Sequence, residues 1–313
     1  MALGLRRGTV TTVGEAGERL VRLEVDGIPC IAYARLTGPV EVGDEVLVNE
    51  QARLLELGSG GFDVLYANLT RGLGLQPQES AHVTALPYTP GQVTVCYKEE
   101  SAELATTLAG LPVVLCTLHS QVAPVCAALA GLRVAYVQVR GGALPVSLSD
   151  AVRALQERGL LGSAIAVAPC LDGDVECVTA AAALAWAAAE GYDAIVCSPG
   201  PGIVGTGSRL GHGALSLADA ANTAAALGGR PVLAVRASGA DPRERHRGVS
   251  HHTQSVLDLS LAEVAVASAD DGEGWEEACA GLPLAHMGRG PEDDPAFFRA
   301  AFAAGVAARK LLG

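Results

Sequence analysis

Between Ser238 and Gln254 the chain reads SGADPRERHRGVSHHTQ, which places three of its seven histidines beside three arginines in a protein of formal net charge −12. Imidazole titrates near neutrality and binds metals, whereas guanidinium offers a planar fork of donors that matches carboxylate and phosphate. In an extended loop the alternation of Arg243, Arg245 and Arg247 would set all three on one side, facing an anion. Ser250 is a plausible N-cap, so His251 and His252 should open a helix whose positive end favours the same charge. The plainer reading is a solvated basic loop paired with Asp241 and Glu244. The loop follows the apolar run RPVLAVRAS, a candidate buried strand, and open α/β sheets bind ligands at the carboxyl ends of their strands. That position makes anion binding the expectation.

A second loop, SPGPGIVGTGSRLGHG (Ser198 to Gly213), contains Gly200, Gly202 and Gly205 in GxGxxG spacing. A dinucleotide fingerprint needs the helix to open inside the motif and an acidic residue at the end of the next strand. Gly207, Gly211 and Gly213 delay the helix, and Asp241 lies too far on. We therefore expect the backbone of Gly202, Gly205, Thr206, Gly207 and Ser208, with Arg209, to hold a phosphate or carboxylate; a long loop that merely turns is the alternative. His119, His246, His251 and His252 are the candidate acid–base residues. A metal site from His119, His212 and one of the His251/His252 pair is a weaker alternative, because no HExxH or similar spacing supports it. No metal is assigned, and the cofactor is unknown. Asp172, Asp174 and Glu176 are explained better by capping of a following helix than by Mg²⁺, and Cys170 has no evident activating base.

The elements that must position these residues fall into two patterns. In the first seventy residues, RGTVTTV, RLVRLEVDG, PCIAYARL, DEVLVNEQ and FDVLYANL are closely spaced strand candidates, separated by Gly14, Asp26-Gly27, Gly43-Asp44 and Gly58–Gly61. After a linker-like stretch from Gly72 to Ser80, a hairpin is expected around Tyr88–Gly91. From Leu111 the apolar runs PVVLCTL, RVAYVQV, SAIAVAP, YDAIVCS, PVLAVRA and EVAVAS alternate with helix candidates at 121–130, 149–158, 174–190, 215–227 and 250–260. Asp294-Pro295 supplies an N-cap and first-turn proline for a last helix. The expected fold is α/β: a small N-terminal β-barrel-like domain (1–75), a hairpin and linker region (76–110), and a doubly wound, mostly parallel Rossmann-like sheet (111–313).

Composition narrows the function classes. Half the residues are hydrophobic and 18% are charged, so disorder is not expected. The acidic balance disfavours nucleic acid and anionic membrane surfaces as partners. The start MALGLRRGTV lacks an apolar segment of the secretory type, so a cytoplasmic location is expected. Eight cysteines without a CxxC pair suggest neither a disulfide scaffold nor a zinc ribbon. Lys98 and Lys310 are the only lysines, and neither a GxxxxGK[ST] loop nor a GxSxG elbow is present, which removes Walker-type nucleotide binding and the hydrolase elbow.

His119–Gln121 (HSQ), Gly200–Gly211 and Asp241–His252 together resemble the bacterial domain-of-unknown-function family 3866, over nearly the whole chain. PYTPGQ (Pro87 to Gln92) is similar to a further segment of that family, with Pro87 where a basic residue is expected. The resemblance implies no established activity. The resulting expectation is an enzyme acting on a small anionic, phosphorylated metabolite held by the two loops. The alternatives are a non-catalytic metabolite sensor or assembly module, and a dinucleotide-dependent oxidoreductase. A homodimer is compatible with the Ala-rich helices.

Overall fold

Alternating apolar positions in the first seventy residues close a small barrel. In the computed structural model, which describes residues 2–56, 61–76 and 78–313, its strands are β1 (Leu5–Ala16), β2 (Leu20–Val25), β3 (Ile28–Tyr33), β4 (Glu45–Asn49) and β5 (Asp63–Asn68), in the order β1-β2-β3-β5-β4. Val21, Leu23 and Val25 of β2, with Val46 and Val48 of β4, share its interior with Val10, Cys30, Ala32 and Leu65. Two single turns, α1 (Ala34–Thr37) and α2 (Gln51–Leu54), join strands. Inside the rim, Asp63 has no exposed surface and is held by Arg53 at 2.7 Å and Arg6 at 3.1 Å. Of the turn expected at Gly58–Gly61, only Gly61 lies within the described residues, and Pro77 of the linker-like stretch also lies outside them. The expected hairpin is present as β6 (Val83–Ala85) and β7 (Val93–Val95). By internal contacts the chain divides into two units between Cys96 and Tyr97.

The second unit is a seven-stranded, all-parallel, Rossmann-like sheet. Its strands are β8 (Pro112–Cys116), β9 (Val134–Val139), β10 (Ala164–Val167), β11 (Val175–Cys177), β12 (Ala194–Pro199), β13 (Arg230–Ala234) and, after a short β14 (Ala237–Ser238) and β15 (Gly248–Val249) pair, β16 (Ala265–Val266). The order is β11-β10-β9-β12-β8-β13-β16. Continuous apolar runs such as PVVLC are buried at every position, as expected for strands covered on both faces.

Helices α3 (Val122–Ala128), α4 (Asp150–Glu157), α8 (Trp275–Ala278) and α9 (Pro295–Lys310) contribute to one apolar cluster. The cluster on the opposite face takes α5 (Ala180–Ala189), α6 (Ser216–Ala226) and α7 (His251–Leu259). The connection leaving β8 through α3 and the one leaving β12 through α6 therefore cover opposite faces, although β8 and β12 are neighbours. Such a switch opens a crevice at the carboxyl edge.

Two sequence expectations need correction. Residues 174–190 do not form one helix: Val175–Cys177 pairs with β10 as the seventh strand, and α5 begins only at Ala180 under a Thr179 cap. The β-branched Val175 and a carboxylate committed to the loop explain this; Asp174 accepts from the Ala164 amide at 2.8 Å and the Gln156 side chain at 2.6 Å. Asp174 and Glu176 are thus not first-turn carboxylates. Asp294 does precede α9, but its carboxylate does not cap that helix; it turns to Ser238 and Gly239 instead.

Helices α3 and α9 touch through Gly305, where an added Cβ would lie 2.6 Å from both the Ala128 Cβ and the Val125 carbonyl oxygen. Alanine in place of glycine should stabilise an isolated helix by about 1 kcal/mol. Here backbone overlap opposes that gain, with overpacking costs of about 1–3 kcal/mol. Gly305→Ala is expected to lower the thermal midpoint, whereas Gly239→Ala, with nothing within 4 Å of the added carbon, should leave it near the parent value. Thermal unfolding followed by circular dichroism checks both.

Candidate functional site

The switch crevice is filled from below by a hydrogen-bonded set of side chains. His119 follows β8 and places Nδ1 3.1 Å from the Tyr136 hydroxyl and 3.3 Å from Ser198 Oγ, with Nε2 2.5 Å from Ser149 Oγ. Tyr136 donates to Gln138 Oε1 and Ser198 donates to the Pro199 carbonyl. The Tyr136 and Ser198 hydroxyls also lie 3.0 Å apart, so His119 closes a hydrogen-bonded ring with both of them and with Ser149. Burial pushes the His119 pKa down to about 4. Two residues on, Gln121 is fully buried; its oxygen accepts from Thr117 and the Leu118 amide, and its nitrogen donates to the Ala234 and Val235 carbonyls. The HSQ segment therefore ties the end of β8 to the end of β13.

The glycine-rich loop folds as a closed hairpin. Gly205 and His212 form an antiparallel bridge, the Thr206 amide and hydroxyl both donate to the Gly211 carbonyl, and the Thr206 and Ser208 oxygens accept from the Ser208 and Leu210 amides. Arg209 is paired with Asp258 of α7 at 2.6 Å. Gly213 and Gly141 meet backbone to backbone: a Cβ on Gly213 would sit 1.9 Å from the Gly141 carbonyl oxygen. That contact gives Gly141 and Gly213 a structural reason to lack side chains. Gly202 adopts a left-handed backbone, and Gly207 has no neighbour within 4 Å of a built Cβ.

The basic loop is not extended. β14 and β15 pinch it into a hairpin, and Glu244–His246 forms a 3-10 turn, in which alternate residues point apart. Arg243 folds back on Asp241 at 2.8 Å and Arg247 reaches the Asp241 carbonyl at 3.4 Å, while Arg245 stays exposed. The expected row of three guanidinium groups is thus corrected to one paired, one braced and one solvent-facing. Asp241 itself has no exposed surface, and Arg236 and Arg289 each approach it at 3.5 Å. Hydrogen bonds from Arg243 hold its carboxyl well below the usual range despite burial. Arg236, 2% exposed, donates Nη1 to His252 Nδ1 at 3.1 Å, and its Nε has no partner.

Four imidazoles converge between these loops. Ser250 caps α7 by accepting from the His252 amide and lies 2.7 Å from His246 Nδ1. His246 is thereby set 4.9 Å from His251 and 5.0 Å from His252 between ring centroids. His212 stacks on His252 at 3.9 Å and meets His251 edge-on at 5.4 Å. Among the described residues, His212, His251 and His252 are the group whose donor atoms lie within 4.8 Å of one another in a way that could hold a metal ion. Both His212 nitrogens and His251 Nε2 are buried without a hydrogen bond. Beside them lies an open cleft of about 520 Å³ lined by Arg140, Leu210, His212, Leu215 and Asp219.

Of the histidines expected to act together, His246, His251 and His252 meet, joined by His212, while His119 belongs to the separate crevice network. Sequence reading missed Arg236, Arg289, His286 and the role of Asp294. The available signal was an arginine inside the otherwise apolar run RPVLAVRAS. His286 stacks on Phe297 at 3.7 Å and is pushed down to about 4 by burial and by Arg236. Burial also raises the Cys170 thiol to about 12, which leaves it without nucleophilic character near neutrality.

Electrostatics keep the cluster uncharged. Burial, then Arg236 and Arg243, lowers His246 to about 3; burial, the stacked His212 and Arg236 lower His252 to about 2. Burial with neighbouring His251 lowers His212, although the Arg209 carbonyl, outside hydrogen-bonding geometry, pulls the other way; burial and Arg245 lower His251. A group whose folded pKa is depressed binds its proton first in the unfolded chain. These histidines therefore favour folding above about pH 6.5, and each withdraws up to about 1.4 kcal/mol per pH unit as the pH falls below it. Thermal midpoints should decline through this window before Asp241 begins to protonate, and His246→Asn should flatten the decline. Asp241→Asn, which leaves the buried Arg236 guanidinium without its carboxylate, is expected to cost about 3–5 kcal/mol by denaturant unfolding.

No curated protein that we searched matches the chain. Residues 29–279 match the family described as a protein of unknown function, DUF3866, and the chain belongs to that family.

Proposed function

We propose that the protein is an enzyme acting on a small anionic, phosphorylated metabolite at the carboxyl edge of the parallel sheet. The observation that carries this reading is the convergence of four neutral imidazoles beside a guanidinium-rich loop and an open cleft. His251, only half-buried, is the imidazole placed to exchange a proton with a substrate, and exposed Arg245 supplies the charge that would attract it, since Arg140 at the cleft is paired with Asp219 at 3.1 Å. A sensor would need the cationic groups without the imidazoles, so the convergence favours chemistry. The dinucleotide alternative has less support, because the glycine-rich loop closes on itself and α6 opens only at Ser216. Among the described residues no helix is long and apolar enough to cross a membrane. All eight cysteines are free, which fits a reducing, cytoplasmic setting. The acidic balance fits a small-molecule partner rather than nucleic acid or an anionic membrane surface.

The test is a thermal-shift screen against phosphorylated and carboxylated metabolites, followed by turnover assays on the hits. A ligand at a hundred times its Kd adds about 2.7 kcal/mol, so a shift of several degrees is expected, lost in Arg245→Ala. Turnover should fall to background in His251→Ala. Binding without turnover for every hit would transfer the protein to the sensor class, and a flat screen would remove the anion site.

A further inference from the structure

We propose that His212, His251 and His252 hold one divalent transition-metal ion of the zinc class, with its open coordination positions facing the cleft. Three imidazoles from two elements gather side by side: His212 comes from the end of the glycine-rich hairpin, and His251 and His252 are the first residues of α7. Their donor atoms lie within 4.8 Å of one another. His212, 6% exposed, has two buried ring nitrogens without hydrogen bonds, and His251 Nε2 is in the same state. A buried polar atom without a partner costs about 1–3 kcal/mol, and a metal ion satisfies such nitrogens on both rings at once. Imidazole donors suit zinc, cobalt, nickel and copper, whereas magnesium and calcium take oxygen ligands.

Two contacts must yield for the ion to enter. His212 lies nearly parallel to His252, at 16°, so their lone pairs do not yet converge. Rotation of His212 out of this stack breaks no hydrogen bond. Arg236 donates to His252 Nδ1, which leaves the ring proton on Nε2. When Arg236 withdraws toward Asp241, already at 3.5 Å, the proton can move to Nδ1 and free Nε2 for the ion.

The surroundings define the remaining ligand. Three neutral imidazoles leave the charge of the ion intact, and Arg236, Arg243 and Arg289 outnumber Asp241 and Asp294 in the adjoining ion-pair network. An anion is therefore the complementary occupant of the open position. This last clause rests on the anion reading above; the metal site itself does not.

The experiment strips the full-length protein with a chelator and titrates it with Zn²⁺ and, separately, Co²⁺, with no metabolite present. One equivalent per chain is expected, with the visible bands of a cobalt–imidazole centre. His212→Ala and His251→Asn should each weaken binding by at least the ~10–100-fold that loss of a supporting residue costs. Exposed His82→Ala should bind as the parent does. Circular dichroism of the stripped variants confirms that they are folded, and the two variants are read independently. A parent protein that takes up no ion, or folded His212→Ala and His251→Asn variants that bind like the parent, overturns the site. Metal uptake without any metabolite shift retains the metal centre and removes the anion reading. A metabolite shift in stripped protein that takes up no metal does the reverse.

Discussion

Asp241 carries a negative charge at a position with no exposed surface, within reach of Arg236, Arg243 and Arg289. The penalty for burying it is offset only because the partners arrive from separate parts of the chain. Arg236 stands just beyond β13, Arg243 belongs to the basic loop, and Arg289 precedes α9. A second carboxylate, Asp294, fastens the same group by accepting from Ser238, the Gly239 amide and Arg289. A buried ion pair of this kind is weak evidence for net stability, since an apolar replacement is often no worse. Its effect here is positional. It bends the basic loop into a hairpin, sets Arg236 against His252, and so determines where the imidazoles face.

The carboxyl edge has two neighbouring but distinct polar assemblies. One is the His119–Tyr136–Ser198 network below the switch between β8 and β12, in which both ring nitrogens and both hydroxyls have hydrogen-bond partners. The other is the group of His212, His246, His251 and His252, three of whose nitrogens are buried without a hydrogen-bond partner. Satisfied networks rigidify, whereas unsatisfied buried atoms are where a ligand has most to contribute. Gln121 bridges the strand ends that support the two, bonding the carbonyls of Ala234 and Val235 from the start of α3.

Much of the fold was legible because burial on both faces leaves an unmistakable pattern. PVVLC, RVAYVQV and YDAIVCS read as parallel strands and are β8, β9 and β12. The barrel was visible in the alternation of LVRLEV and EVLVN. What failed was local chemistry decided by distant partners. Asp174 looks like a helix-capping residue until Ala164 and Gln156 claim it, and Asp294 looks like an N-cap until Ser238 does. For the site, the location of the histidines could be read, and so could the Ser250 cap. The fate of the arginines could not, because alternation along an assumed extended loop said nothing of a 3-10 turn wound around Asp241. His119 was placed at the correct edge, yet no sequence spacing showed that Ser149 and Tyr136 would hold it apart from the others.

The contact between Gly141 and Gly213 constrains how this protein can change. Two main chains touch where each residue already has the smallest side chain available, so a larger residue at one position cannot be accommodated by shrinking the other. Compensation would have to come from the paths of the loops themselves, through insertions or deletions after β9 and β12. Diversification of the cleft is therefore directed to the residues around this junction, such as Leu210, Leu215 and Asp219, which can vary in size and charge while the crossing itself stays fixed.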